Sequence, residues 1–212
     1  MSSKILLWAG LIGCAATITC ETIAVAKNSL EMSHTPNLGA ISIARIYNRQ
    51  GTGDRFSSAA QKYQRGDYQG ALADYNRVIK NNPKSANAYY NRGLIKATNL
   101  QDYPGALADY NRAIQLKPSY DAAYTNRGNL KTTNLQDYQG ALADYNRAIQ
   151  LKPRNANAYY NRGVLKYTYL KDLAGGIADM QQAVKFAQRQ GNPQDAQAAS
   201  DLLYQWQQTS GN

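Results

Sequence analysis

The sequence is poor in the residues from which chemistry is usually built. In 212 residues it has two cysteines, Cys14 and Cys20, and one histidine, His34. Both cysteines stand before Lys27, so the chain from there on can form neither a disulfide nor a thiolate metal site. A lone histidine with no cysteine near it makes no metal cluster and no nucleophile–base pair, and in "EMSHTPN" it reads as a solvated linker residue. Glutamate is scarce as well: twelve of the 14 acids are Asp, which leaves no Glu cluster for acid–base work. These absences argue against an enzyme and imply no metal and no cofactor. Phe and Trp number two each against 17 Tyr, so the aromatic surfaces are amphipathic, an apolar body with a polar tip.

What is present divides sharply. Lys4 is followed by "ILLWAGLIGCAATIT", uncharged and mostly apolar, then by "CETIAVA", ending small-x-small at Ala24-Val25-Ala26. This is the layout of a secretory signal cleaved after Ala26, and it implies Sec export to a periplasm, a lumen or the exterior. Two alternatives stand beside it. Residues 5–26 can be retained as a membrane anchor, although a span needs about 20 apolar residues and Glu21 interrupts the run. The lipobox-like "LIGC" can lipidate Cys14. The remainder has the composition of a packed chain, and its net charge of +10 is unchanged by loss of the leader. Such an excess favours acidic partners or an anionic membrane surface.

The octapeptide "GALADYNR" occurs at Gly70–Arg77, Gly105–Arg112 and Gly140–Arg147, in steps of 35 residues. It sits in a longer echo: "NLQDYPGALADYNRAIQLKP" (Asn99–Pro118) returns as "NLQDYQGALADYNRAIQLKP" (Asn134–Pro153), and the four residues Asp67, Asp102, Asp137 and Asp172 keep the same step. A fixed period of this size marks stacked supersecondary units. Each unit divides into two helices. In the second, Ala106, Leu107, Tyr110, Ala113 and Ile114 share one stripe, Asp102 is placed to cap the N-terminus, Pro104 falls in the first turn and Pro118 follows the end. In the first, Tyr89, Gly93, Ala97 and Leu100 form a stripe, with Ser85, Asp121 and Asn155 as caps in successive units and Gly93, Gly128 and Gly163 at a close helix approach.

These units resemble the tetratricopeptide repeat. Tyr89, Gly93, Ala106, Tyr110, Ala113 and Pro118, and again Tyr124, Gly128, Ala141, Tyr145, Ala148 and Pro153, match its six anchor positions. One extra residue precedes Asp102, Asp137 and Asp172, lengthening the family's 34-residue period. The first unit has Ala59 in the Gly slot; the last has Gly176 for Ala, Met180 for the aromatic and no closing Pro, as array ends do. The wording "NRG…ALADYN" is similar to cyanobacterial members. The resemblance implies an all-α fold, a right-handed superhelical solenoid of stacked antiparallel helix pairs with a C-terminal capping helix. Its parts are a signal peptide 1–26, a flexible segment 27–51, units 52–85, 86–120 and 121–155, a degenerate unit 156–192, and a capping helix 193–208 with Ala196, Ala199, Leu203 and Trp206 as its apolar stripe. Leu38–Gln50 can add a helix against the first unit.

The resemblance further implies a protein or peptide partner held in a concave groove lined by the first helices. It assigns to that groove Asn91, Asn126 and Asn161, similar to the asparagine ladder of the O-GlcNAc transferase family, with Tyr90, Thr125, Tyr160, Leu94, Asn129 and Val164 beside them. The carboxylate clamp that co-chaperones use on acidic chaperone tails is excluded by letters. Its positions read Phe56, Ala60, Asn91, Ala122 and Asn126, or Tyr90, Leu94, Asn126, Asn157 and Asn161, with no basic residue in either window. Arg92, Arg127 and Arg162 occupy a place the family usually gives to an apolar side chain. Pairing each with an Asp of its own or the adjacent unit, among Asp74, Asp109, Asp144 and Asp179, answers the cost of a buried guanidinium. Lys96, Lys131 and Lys166, with Arg77, Arg112 and Arg147, repeat as stripes that can dock an acidic protein or an anionic membrane. A helical-repeat nucleic-acid binder would need base-reading side chains that vary between units, and these units are near-identical.

Overall fold

The computed structural model describes residues 53–210. The leader, Cys14, Cys20, His34 and Leu38–Gln50 lie outside the described residues. Among the described residues every regular element is helical: α1 (Gly53–Gln64), α2 (Tyr68–Asn81), α3 (Ala86–Thr98), α4 (Tyr103–Leu116), α5 (Asp121–Thr133), α6 (Tyr138–Leu151), α7 (Ala156–Val164), α8 (Leu173–Arg189) and α9 (Pro193–Ser210). Each helix packs on the next in chain order, and the first helices of successive pairs also touch, α3 on α5 and α5 on α7. This is a solenoid of antiparallel pairs closed at the C-terminal end by α9.

The recurring Asp before each second helix explains where those helices begin. The backbone N–H groups of Gly70, Gly105, Gly140 and Gly175 donate to Oδ1 of Asp67, Asp102, Asp137 and Asp172 at 2.8, 3.0, 2.9 and 2.9 Å, satisfying an N–H the helix leaves open. The extra residue that lengthens the period adopts the left-handed conformation: Gln101, Gln136 and Lys171 have φ of 54°, 54° and 59°. The shorter first unit turns on Gly66 instead, φ 78°. First-helix caps are less uniform. Asn155 accepts from the N–H of Ala158, Ser85 makes no side-chain capping bond, and Asp121 is not a cap, since helix α5 begins on it and Tyr120 precedes it. Asp121 instead accepts from Asn155 of the following unit at 3.3 Å.

Burial follows the second-helix stripe closely. Tyr75, Tyr110 and Tyr145 are at most 1% exposed, and Ala71, Ala106 and Ala141 are fully buried beside them. The first helices depart from a single stripe. Ala88 and Ile95 are buried in α3 while Tyr89, Ala97 and Leu100 are only half-buried. A first helix lies between its own second helix and the neighbouring unit, so it has two covered faces and its periodicity blurs. On α9 the buried positions are Ala196, Ala199, Leu202 and Trp206, with Leu203 half-buried, one residue off the expected stripe.

The fourth pair is built differently. Helix α7 runs into a π-helical turn, Leu165–Tyr169, which adds a residue to one helical turn and rotates the residues after it. Tyr167 is thereby stacked on Trp206 of α9, ring centroids 4.0 Å apart and 3° from parallel, and its hydroxyl donates to the Trp206 carbonyl at 3.4 Å. The same turn brings the Tyr167 backbone against α8 at Gly176. A Cβ there would lie 2.7 Å from Tyr167 Cβ, 2.9 Å from its N and 3.0 Å from the Gly163 carbonyl oxygen. This is why Gly replaces the Ala of the other units. Gly176→Ala should lower stability by about 1–3 kcal/mol through overpacking and shift the emission of Trp206; an unchanged unfolding midpoint would contradict the account.

Candidate functional site

Two sets of repeated side chains demand an explanation: the ionic letters of the octapeptide and the residues expected along the inner wall. The ionic set resolves into a bridge within and between units. Arg92 donates from Nε and Nη2 to the two oxygens of Asp109, at 2.8 and 2.5 Å, while its Nη1 donates to Asn76 Oδ1 of the preceding unit at 2.7 Å. Arg127 repeats this on Asp144 and Asn111, and Arg162 on Asp179 and Asn146. Each guanidinium also lies over a tyrosine three residues earlier, Tyr89, Tyr124 or Tyr159, 5.4–5.5 Å from the ring centroid. The hydrogen bonds that Arg92 donates to Asp109 push its pKa up. Each Arg thus pairs with the Asp of its own unit and reaches back to the one before.

The octapeptide can now be read letter by letter. Its Gly donates to the capping Asp, its first Ala and its Tyr fill the core, its Asp fixes the Arg of its own unit, and its Asn receives the Arg of the next. The fourth unit keeps Asp179, which Arg162 needs, and has Gln181 where the others have Asn; the position 35 residues after Arg162 is Gln197, which bonds Asp201 and does not reach back. The first unit has Ser58 in the Arg position; Ser58 and Lys62 both donate to Asp74 at 2.7 Å.

Lysines complete the buried clusters. Lys96, Lys131 and Lys166 lie 3.0 Å from Asp109, Asp144 and Asp179. They are drawn onto the unit's own carboxylate and do not form an outward stripe. For Asp74, burial raises the pKa, but the hydrogen bonds from Lys62 and Ser58 and the charges of Lys62 and Arg77 outweigh it, so the net shift is downward. Folding therefore favours the ionised form. That stability is complete above the unfolded carboxylate's range, about pH 4, and is lost as pH falls through the lower folded value. Asp74→Asn should shrink the difference between urea midpoints measured at pH 7 and pH 3; an undiminished difference would contradict this.

The inner-wall residues are placed at several depths. Asn91, Asn161, Thr125 and Val164 are buried, 3%, 4%, 5% and 0% exposed, while Tyr90, Leu94, Asn126, Asn129 and Tyr160 are half-buried. Asn126 donates from Nδ2 to the Tyr90 hydroxyl of the preceding unit at 2.9 Å. Tyr90 packs on Tyr120 and Tyr110, with centroids at 4.9 and 6.1 Å, and burial, reinforced by the Asp121 charge, pushes its pKa up to about 12. Asn129 is engaged by Tyr145, whose hydroxyl donates to its Oδ1 at 2.7 Å, and burial raises the Tyr145 pKa further. Thr125 donates to the Asp121 carbonyl.

Asn91 and Asn161 differ from the rest of the wall. Asn91 Nδ2 and Asn161 Oδ1 are buried and have no hydrogen-bond partner among the described residues. Asn91 borders a recess between the first two pairs, lined also by Ala60, Tyr63, Tyr75, Leu94 and Ile95. Sequence reasoning missed Tyr63 here and Tyr120 beside Tyr90; Ala60 entered it only as a clamp position. Tyr63 stands in the first helix at the place held by Ala97 in the next unit, and that departure from the repeat was the available signal. Among the described residues no group of His, Cys, Asp and Glu could hold a metal ion, and no helix is long and apolar enough to cross a membrane.

Comparison with solved structures finds the same arrangement of paired helices. A MamA segment from Desulfovibrio magneticus RS-1 is 22% identical, with a TM-score of 0.56 over 74% of this chain and 96% of that one, a likeness of fold alone. The first TPR domain of Spaghetti (RPAP3), bound to the HSP90 peptide SRMEEVD, is 25% identical with a TM-score of 0.51 over 54% of this chain and 89% of that one. The second TPR domain of human RPAP3, in complex with the HSP70 peptide SGPTIEEVD, is 27% identical with a TM-score of 0.50 over 53% and 92%. No curated protein matches the chain. The TPR repeat family model matches residues 61–99, 98–132 and 133–168, together just over half of the sequence. With the paired helices, the anchor residues and the 35-residue step already in place, the chain belongs to the TPR repeat family.

Proposed function

We propose that the chain is a non-catalytic scaffold that holds an extended peptide segment of a partner protein against the first helices α3, α5 and α7, and that it is exported through the leader of residues 1–26. The observation that carries this reading is Asn91: a buried amide donor with no partner, bordering a recess between the first two pairs. A buried unpaired donor costs about 1–3 kcal/mol, a cost that folding alone gives no reason to keep. A peptide carbonyl would satisfy it, and Asn161, with its unpaired oxygen, would accept from a peptide N–H. The half-buried Tyr90 and Leu94 supply apolar contact area beside these amides.

The two RPAP3 domains hold peptides ending in EEVD. Here the corresponding clamp positions carry no basic residue, which favours a segment recognised through its backbone and small apolar side chains over an acidic tail. Peptides selected from a random library against the full chain test the reading. Asn91→Ala combined with Asn161→Ala should weaken the selected peptides at least tenfold without lowering the unfolding midpoint, because Asn91 Nδ2 and Asn161 Oδ1 have no partner to lose. Undiminished affinity in the double variant would overturn it.

A further inference from the structure

With Lys96, Lys131 and Lys166 committed to buried carboxylates, one group of exposed cations shares a location. Lys80 and Lys84, Lys117, Lys152 and Arg154, and Lys185 and Arg189 are all exposed, and all stand at or just beyond the C-terminal ends of α2, α4, α6 and α8. In an array of like-oriented pairs these ends form one edge. The carboxylates there are Asp121, 4.0 Å from Lys152, and Asp195, held by Asn192. At the opposite edge stand the four capping aspartates. Cations near helix C-termini gain about 0.3–1 kcal/mol from the macrodipole, which accounts for Lys80, Lys117, Lys152 and the α8 pair. It does not account for Lys84 and Arg154, which stand in the connections between units.

We propose that this edge binds a linear anionic polysaccharide. The cations stand at the same end of every second helix, so they recur unit by unit along the array, as the charges of such a chain do. The edge lacks what other polyanions require. An anionic bilayer needs an apolar face to insert, but the large exposed hydrophobics Leu135, Leu173 and Tyr204 are all elsewhere. Single-stranded nucleic acid needs open aromatic faces for stacking. Here Lys117 lies over the Tyr120 ring at 4.7 Å, and Arg92 and Arg112 lie over Tyr89 at 5.4 and 6.0 Å. An acidic protein partner would draw its energy from buried apolar anchors, and the edge offers none. A hydrated carbohydrate polyanion needs only the charges, and this edge is separate from the inner wall.

Calorimetric titration of the full chain with polygalacturonate at low salt tests the assignment. Binding should weaken on addition of salt and fall at least tenfold in the variant Lys84→Gln, Lys117→Gln, Lys152→Gln, Arg154→Gln. It should persist in Arg65→Gln, Lys171→Gln, which alters cations at the other edge. Poly-glutamate, an oligothymidylate and phosphatidylglycerol vesicles should each bind more weakly than polygalacturonate. Absence of binding, equal loss in both variants, or preference for any of those three probes would overturn the proposal.

Discussion

Asp144→Ala should cost about 3 kcal/mol, the lower end of the range for breaking a buried ion pair. The carboxylate is 5% exposed and carries both the Arg127 fork and Lys131, whose side chains are each 17% exposed. Its loss strands two largely covered cations without a carboxylate, and their partial access to water holds the cost down. The damage should spread, because the carboxylate also holds Arg127 in the position from which it reaches Asn111 of the preceding unit. Urea unfolding should show a lower midpoint together with a shallower slope, the sign that units no longer unfold as one. Asp74→Ala is the contrast. Its cations Lys62 and Arg77 are 36% and 66% exposed, and Ser58 gives it no arginine bridge, so the loss should be markedly smaller. Equal losses at the two positions would contradict the bridge as the link between units.

Trp206→Ala is the second large effect, about 3–5 kcal/mol for truncating a buried aromatic, with a different distribution. Trp206 is 4% exposed and stacks on Tyr167 at the π-helical turn. In a repeat array each unit contacts only its neighbours, so the loss should fall on α7, α8 and α9. Hydrogen exchange should accelerate there and remain slow in α3 and α4. Uniform acceleration along the array would mean that α9 supports more than the last unit.

The period, the paired helices and the capping aspartates were legible because each depends on local chemistry that recurs at a fixed step. So was the need of Arg92, Arg127 and Arg162 for carboxylates, since a guanidinium in an apolar slot has few alternatives. The back-reach to Asn76, Asn111 and Asn146 was not, because an asparagine on an outward helix face looks like any solvated residue until the neighbouring unit is in place. Depth along the inner wall was equally hidden. Asn91 and Asn126 share a letter and a repeat position, yet the Nδ2 of one is buried without a partner while the other bonds Tyr90. What differs is the neighbour: the unit before Asn126 supplies Tyr90, where the unit before Asn91 supplies Phe56, which has no hydroxyl. The π-helical turn left its trace in the sequence only as Gly176, a departure that reads equally well as decay at the end of an array.

The repeated charged letters hold units to one another, and on the function proposed above the first helices are the wall that meets a partner. Amide exchange of the full chain, measured with and without a library-selected peptide, tests it most directly. The account predicts added protection on α3, α5 and α7, centred on Tyr90, Leu94 and Asn126. Protection confined to the outer faces of α4 and α6, around the exposed Ala108 and Ala143, would contradict it.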